Sequence, residues 1–171
     1  MPEDITKTNK EISLFVCLTE SWGTRERSLL KDALIARKNE LNPLIFCLKD
    51  SYLDQYAQKE HFTIMHHHGK VPKKFYKWYT YHYFSKFVLT KNISLIHCYD
   101  LNLIWPLCYF LRKSPIIPLF LTIDREPNRS YLEIWHKTLL RRIDQVFVSS
   151  VSMIDEAKLR LGILPRKITV L

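Results

Sequence analysis

Residues Ile12–Asn39 read ISLFVCLTESWGTRERSLLKDALIARKN. Ile12–Leu18 is an unbroken apolar run rich in strand formers, the pattern of a strand buried on both faces of a parallel sheet. A polar turn carrying one glycine follows at Ser21–Thr24. From Arg25 to Asn39 the apolar residues Leu29, Leu30, Ala33, Leu34 and Ala36 recur at helical spacing. A doubly covered strand, a short turn and a helix open a βαβ unit, since parallel neighbours need a crossover between them.

The rhythm continues outward from this unit. Pro43–Leu48 is a second apolar run, Ser51–Lys59 a short polar helix and Phe62–Met65 a weaker strand. Lys73–Thr90 is expected to be helical, with Pro72 in its first turn. Ser94–Cys98, Ile116–Thr122, Gln145–Val148 and Lys167–Leu171 read as strands, alternating with helices at Leu101–Arg112, Tyr131–Arg142 and Val151–Leu161. Gly162 closes the last helix. Such alternation predicts an α/β fold: a Rossmann-like, doubly wound, mostly parallel sheet with helices on both faces. The first strand should be central, flanked by the Pro43 and Ser94 strands. The expected organisation is a polar tail over 1–10 and one domain over 11–171, without interior linker or repeat.

Composition narrows the function. The chain is 47% hydrophobic and 25% charged, which excludes the disordered class. Its net charge of +9 favours acidic partners: anionic lipid, nucleic acid or a phosphorylated substrate. Glycine occurs only at positions 23, 69 and 162, so a multi-glycine phosphate cradle is excluded. No GxGxxG, Walker A or GxSxG motif appears. Cys17, Cys47, Cys98 and Cys108 stand apart in apolar runs with no CxxC, which reads as buried reduced thiols. Met1–Lys10 lacks an apolar signal core, and the longest apolar run falls far short of the ~20 residues that span a bilayer. The expected location is cytoplasmic, with a peripheral seat on the inner face of the membrane left open.

Three stretches carry a family resemblance. TESWGTRERSLL (Thr19–Leu30) resembles the strand, glycine loop, Glu–Arg and helix that open the N-terminal domain of GT-B glycosyltransferases of the family 4 type. SLIHCYD (Ser94–Asp100) is similar to that family's fourth strand and its polar end. Pro118–Leu171 contains PLFLTIDREP, LLRRIDQVFVSS and RLGILPRKITVL; it resembles a strand, an arginine-rich helix end, a D-x-V-x-x-S strand and the approach to the interdomain linker. The resemblance implies sugar transfer from a nucleotide-sugar donor to a sugar or lipid-linked sugar acceptor, with retention of anomeric configuration. It implies no cofactor beyond that donor substrate. The nucleotide sugar would be held mainly by a C-terminal donor-binding domain, absent from this chain, while the N-terminal domain shapes the acceptor site. On that reading 1–171 alone turns over no sugar nucleotide. The alternative is a noncatalytic Rossmann-like binding or scaffolding module that has lost transferase chemistry.

Candidate residues follow from strand ends, where doubly wound sheets place ligands. Gly23, Thr24 and Arg25 open a helix whose free N–H groups suit a donor diphosphate, with Arg25 adding charge; the bland reading is a turn that needs one flexible glycine. Here Trp22–Gly23 stands where the resemblance has two glycines. Asp124 occupies the place of a histidine near the transferred sugar and is the catalytic candidate, able to accept from a sugar hydroxyl or stabilise positive charge at the anomeric carbon. Otherwise it caps a loop before Pro127 or pairs with Arg125. Arg125 and Glu126 beside it, together with His97, Tyr99, Asp100, Ser149 and Ser150, are acceptor-binding candidates. Against this, His97 suits a satisfied core position, and Ser149 and Ser150 suit a helix cap.

Two further stretches admit several readings. Lys73–Phe87 mixes aromatics with lysines. Lys73, Lys74, Lys77 and Trp78 make an anionic membrane surface a candidate partner, against a packed core helix with solvated lysines. A nucleic-acid surface is the least favoured reading, since no recognised motif accompanies it, and no nucleic-acid partner is expected. His66, His67 and His68 alternate faces if extended, and no cysteine or carboxylate stands at ligand spacing, so no metal is expected.

Overall fold

The computed structural model describes residues 11–67, 92–112, 116–125 and 138–171. The apolar runs become the strands β1 (Ile12–Val16), β2 (Asn42–Leu48), β3 (Thr63–His67), β4 (Ile93–Cys98), β5 (Leu119–Ile123), β6 (Gln145–Val148) and β7 (Ile168–Val170). They form one sheet in the order β3-β2-β1-β4-β5-β6-β7, and every neighbouring pair is parallel. As expected, β1 lies between β2 and β4; β4 is the geometric middle.

Helices α1 (Thr24–Lys38), α2 (Tyr52–Lys59), α3 (Leu101–Leu111) and α4 (Ser152–Leu161) cover the sheet on both sides. Side chains alternate along each strand, so the two faces build two cores. Leu14, Val16, Ile96, Leu119, Leu121, Val146 and Val148 pack with Leu103 and Leu107 of α3 and Ala157 and Leu161 of α4. Phe15, Cys17, Ile45, Cys47 and Tyr99 pack with Leu29 and Ala33 of α1 and Leu53 and Ala57 of α2. All four cysteines are free and buried. Gly162 takes φ 65°, the left-handed close of α4 that its place past the helix end demands.

Most strand boundaries differ from the sequence reading by one or two residues, and the start of β5 by three. β5 begins at Leu119 rather than Ile116, which is 90% exposed. Pro118 has no N–H to give, and pairing starts with its carbonyl, which accepts from Ile96 N at 2.9 Å. Leu119 N then donates to the Asp144 carboxylate at 2.8 Å, and Arg142 Nη1 donates to the same oxygen at 2.8 Å. The aspartate of the D-x-V-x-x-S stretch is thus a bracket between β5 and β6. The expected helix Lys73–Thr90, and Tyr131–Arg142 apart from its last residues, lie outside the described residues. Among the described residues no helix is long and apolar enough to cross a membrane.

Candidate functional site

Strands that run parallel end on one edge, and the loops after β1, β4, β5 and β6 gather there. The first is organised by a residue that the site reading passed over. Glu26, buried one turn into α1, accepts from Gly23 N at 2.7 Å through Oε2, the half of a capping box that a glycine N-cap allows. Its Oε1 accepts from the Thr19 hydroxyl. The signal was legible, since glutamate three residues after an N-cap is a helix-start pattern. Gly23 itself is extended at φ −153°, outside the left-handed region. A Cβ there would meet Glu26 Oε2 at 3.4 Å, an ordinary contact. The turn therefore does not need a flexible glycine, which corrects the bland reading of that position.

Arg25 turns inward. Its Nε and Nη2 donate to Asp124 Oδ1 at 3.4 and 3.3 Å, bridging the first turn of α1 and the end of β5. The two side chains are 8% and 19% exposed. Burial works against the guanidinium charge, but Asp124 and Asp100 outweigh it and raise the Arg25 pKa. Asp124 thus pairs with Arg25, 99 residues away, and not with the adjacent Arg125 as its alternative reading had it. Asp100, at the end of β4, is 3% exposed and accepts from Asn102 N at 2.9 Å, capping α3. Burial raises its pKa, opposed by that N–H bond and by the charges of Arg25 and Arg125. The strand ends therefore bring Arg25 and Arg125 together with Asp100, Asp124 and Glu26, two guanidinium groups against three carboxylates.

His97 and Tyr99 lie deeper. Tyr99 donates to Asp32 Oδ2 of α1 at 2.5 Å. With that proton spent, His97 Nδ1–H donates to the Tyr99 oxygen at 3.0 Å, and Nε2 accepts from the Thr122 hydroxyl at 2.8 Å. Phe15, Phe120 and Phe147 surround the ring at centroid distances of 5.6 to 6.1 Å. Burial pushes the His97 pKa down to about 3, so the imidazole is neutral. Both nitrogens are engaged, the satisfied-core arrangement. Ser149 is exposed, with Oγ 3.0 Å from Met153 Sδ, and Ser150 Oγ lies 2.9 Å from Ser152 Oγ. Neither side chain caps α4, whose N-cap is Val151. Thr24 and Arg125 are exposed; Glu126, Lys73, Lys74, Lys77 and Trp78 lie outside the described residues.

At the opposite sheet margin one expectation is corrected. His66 and His67 do alternate faces on β3, but a cysteine and a carboxylate stand beside His66. Cys47, Asp54 and His66 bring one ligating atom each within 4.8 Å of one another. Spacing along the chain concealed them, because the β2–β3 register makes the approach.

No protein-family model and no curated protein matches the sequence. Solved structures do. A glycosyltransferase from Rickettsia africae superposes with a TM-score of 0.74 at 17% identity, over 95% of this chain and 42% of that one. HepE from Anabaena, solved with UDP and glucose, gives 0.63 at 13%, over 93% and 43%. A UDP-GlcNAc 2-epimerase from Neisseria meningitidis, bound to UDP-GlcNAc, gives 0.64 at 11%, over 93% and 45%. The chain thus spans less than half the length of these proteins. At such identities the likeness is one of fold: a Rossmann-like α/β domain that superposes on part of each of these proteins.

Proposed function

We propose that the chain is the N-terminal, acceptor-recognising domain of a nucleotide-sugar-dependent glycosyltransferase that acts with retention of configuration. The observation that carries this reading is the convergence of Arg25, Asp100 and Asp124 beyond three strand ends, in a fold some of whose solved neighbours hold UDP or UDP-GlcNAc. Such a field suits hydroxyl-rich groups better than a diphosphate, because Arg25 is already matched by carboxylates. Asp124, oriented by Arg25, accepts from a sugar hydroxyl near the reacting carbon. The donor's phosphates approach the α1 amino end at Gly23 and Thr24, where the helix dipole favours anions, and the remaining donor contacts come from a second domain. A peripheral seat on the inner membrane face, through Lys73, Lys74, Lys77 and Trp78, belongs to the same reading.

One observation favours a second reading, a noncatalytic module. Arg25 and Asp124 satisfy each other at the place where the resemblance has a histidine. The epimerase likeness adds that this half-fold also serves chemistry other than transfer. Nucleoside diphosphate release separates the two readings. The 171-residue chain alone should release none from a panel of sugar nucleotides, because positioning across a closed cleft is worth ~7–11 kcal/mol of barrier. Joined to a donor-binding domain it should turn over, and Asp124→Ala should then lower kcat. Turnover by the chain alone would overturn the acceptor-domain assignment; binding without turnover in the joined protein would select the module.

A further inference from the structure

We propose that Cys47, Asp54 and His66 form a binding site for a divalent transition-metal ion of the zinc class, with water as the fourth ligand. All three residues belong to one β–α–β unit. Cys47 and His66 are register partners on β2 and β3, so their side chains leave the same face of the sheet. Helix α2, between them in sequence, covers that face and turns Asp54 down onto it; the aspartate is 1% exposed. The fold thus assembles a sulfur, an oxygen and a nitrogen ligand, with the ligating atoms within 4.8 Å of one another.

The chemistry of the set selects the ion. Thiolate and imidazole favour zinc and its neighbours over magnesium or calcium, which take oxygen shells. A thiolate and a carboxylate together neutralise a dication, so the ion enters this buried setting with its charge matched. His66 Nε2 now donates to Asp54 Oδ1 at 2.9 Å. Tetrahedral bonds of ~2.0–2.2 Å to each atom place them roughly 3.4 Å apart, an opening of about half an ångström. Asp54 also accepts from Gln58 Nε2 at 2.8 Å and from Asp50 N at 2.9 Å. Those bonds orient the carboxylate when the imidazole contact gives way to metal, as outer-sphere partners do. The His66 side chain is 28% exposed, which supplies both entry and room for the water. On binding, the Cys47 thiol loses its proton to solvent as the sulfur–metal bond forms, and the proton that His66 Nε2 gave to Asp54 leaves that nitrogen, exchanging through solvent so that the bound ring carries its one proton on Nδ1. The ion ties the edge strand β3 to β2 and α2.

The test titrates the chelator-treated 171-residue chain with cobalt(II), then competes with zinc(II). One equivalent of cobalt should produce a thiolate-to-metal charge-transfer band and tetrahedral d–d absorption, both displaced by zinc. Cys47→Ser should remove the charge-transfer band. His66→Gln should weaken binding by more than ~100-fold, beyond the ~10–100-fold typical of outer-sphere partners. The pair His67→Gln and His68→Gln should leave the band intact, with circular dichroism confirming the fold of each variant. Zinc X-ray absorption on the unaltered chain needs no variant: one sulfur at ~2.3 Å among lighter atoms at ~2.0–2.2 Å is expected. A shell of nitrogen and oxygen alone, a band that survives Cys47→Ser, or binding lost with His67 and His68 but kept in His66→Gln would overturn the proposal.

Discussion

Replacing Asp124 by asparagine keeps the shape of the strand end and deletes one charge. At 3.3 Å and an effective dielectric of ~20, the gross attraction between Arg25 and Asp124 is about 5 kcal/mol. Desolvation offsets much of it. What remains after substitution is a buried guanidinium without its nearest partner, a situation that costs ~3–5 kcal/mol when no other charge is near. Asp100 still faces Arg25, so the expected loss is lower, at about 1–3 kcal/mol. Urea unfolding of four proteins measures it: the parent, Arg25→Met, Asp124→Asn and the double variant. The double variant should lose less than the sum of the singles, with a coupling of about 1–3 kcal/mol, because no charge is left stranded. Single losses below ~0.5 kcal/mol with strict additivity would refute the pair as a structural bridge between α1 and the end of β5.

Other consequences are independent of that pair. His97 is held neutral with a folded pKa of about 3, below its unfolded value, so its contribution to stability is present above pH ~6.5 and fades as pH falls toward 3. Between pH 6.5 and 5 the chain should lose about 2 kcal/mol through this residue, and His97→Gln should flatten that slope in pH-dependent urea midpoints; an unchanged slope would contradict the assignment. Gly23→Ala should cost no more than ~1 kcal/mol of stability, since the glycine is neither left-handed nor crowded. The same change should weaken sugar-nucleotide affinity in calorimetry, whereas a large stability loss would restore the turn-only reading. Burial raises all four thiol pKa values, those of Cys47 and Cys108 to about 12. Native protein should therefore show no fast reaction with a thiol-specific disulfide reagent, and rapid labelling would contradict the packing.

The fold was legible because its signals are local and repeated. Continuous apolar runs such as Ile12–Leu18 and Gly162 after a periodic helix each act within a few residues. The place of β1 between the Pro43 and Ser94 strands followed from the alternating strand–helix rhythm; the rest of the strand order did not. The site was legible only as a place, the carboxyl ends of the strands. Its pairings were not, since Arg25 with Asp124, Asp32 with Tyr99, and Thr122 with His97 join residues far apart in sequence. A reading along the chain sees Asp124 beside Arg125 and assigns the nearer partner. For the same reason Cys47 and His66 looked unrelated until the register of β2 and β3 set them side by side.

The proposed sugar-nucleotide and acceptor site lies at the ends of β1, β4 and β5. Amide chemical shifts, recorded while UDP-sugars and then uncharged oligosaccharides are titrated into the ¹⁵N-labelled chain, test it most directly. UDP-sugars should shift Gly23–Arg25, with effects that weaken as salt rises, and oligosaccharides should shift Asp100 and Asp124–Arg125. Shifts confined to the opposite edge of the sheet, around Asp144 and Lys167, or none at millimolar ligand, would contradict it.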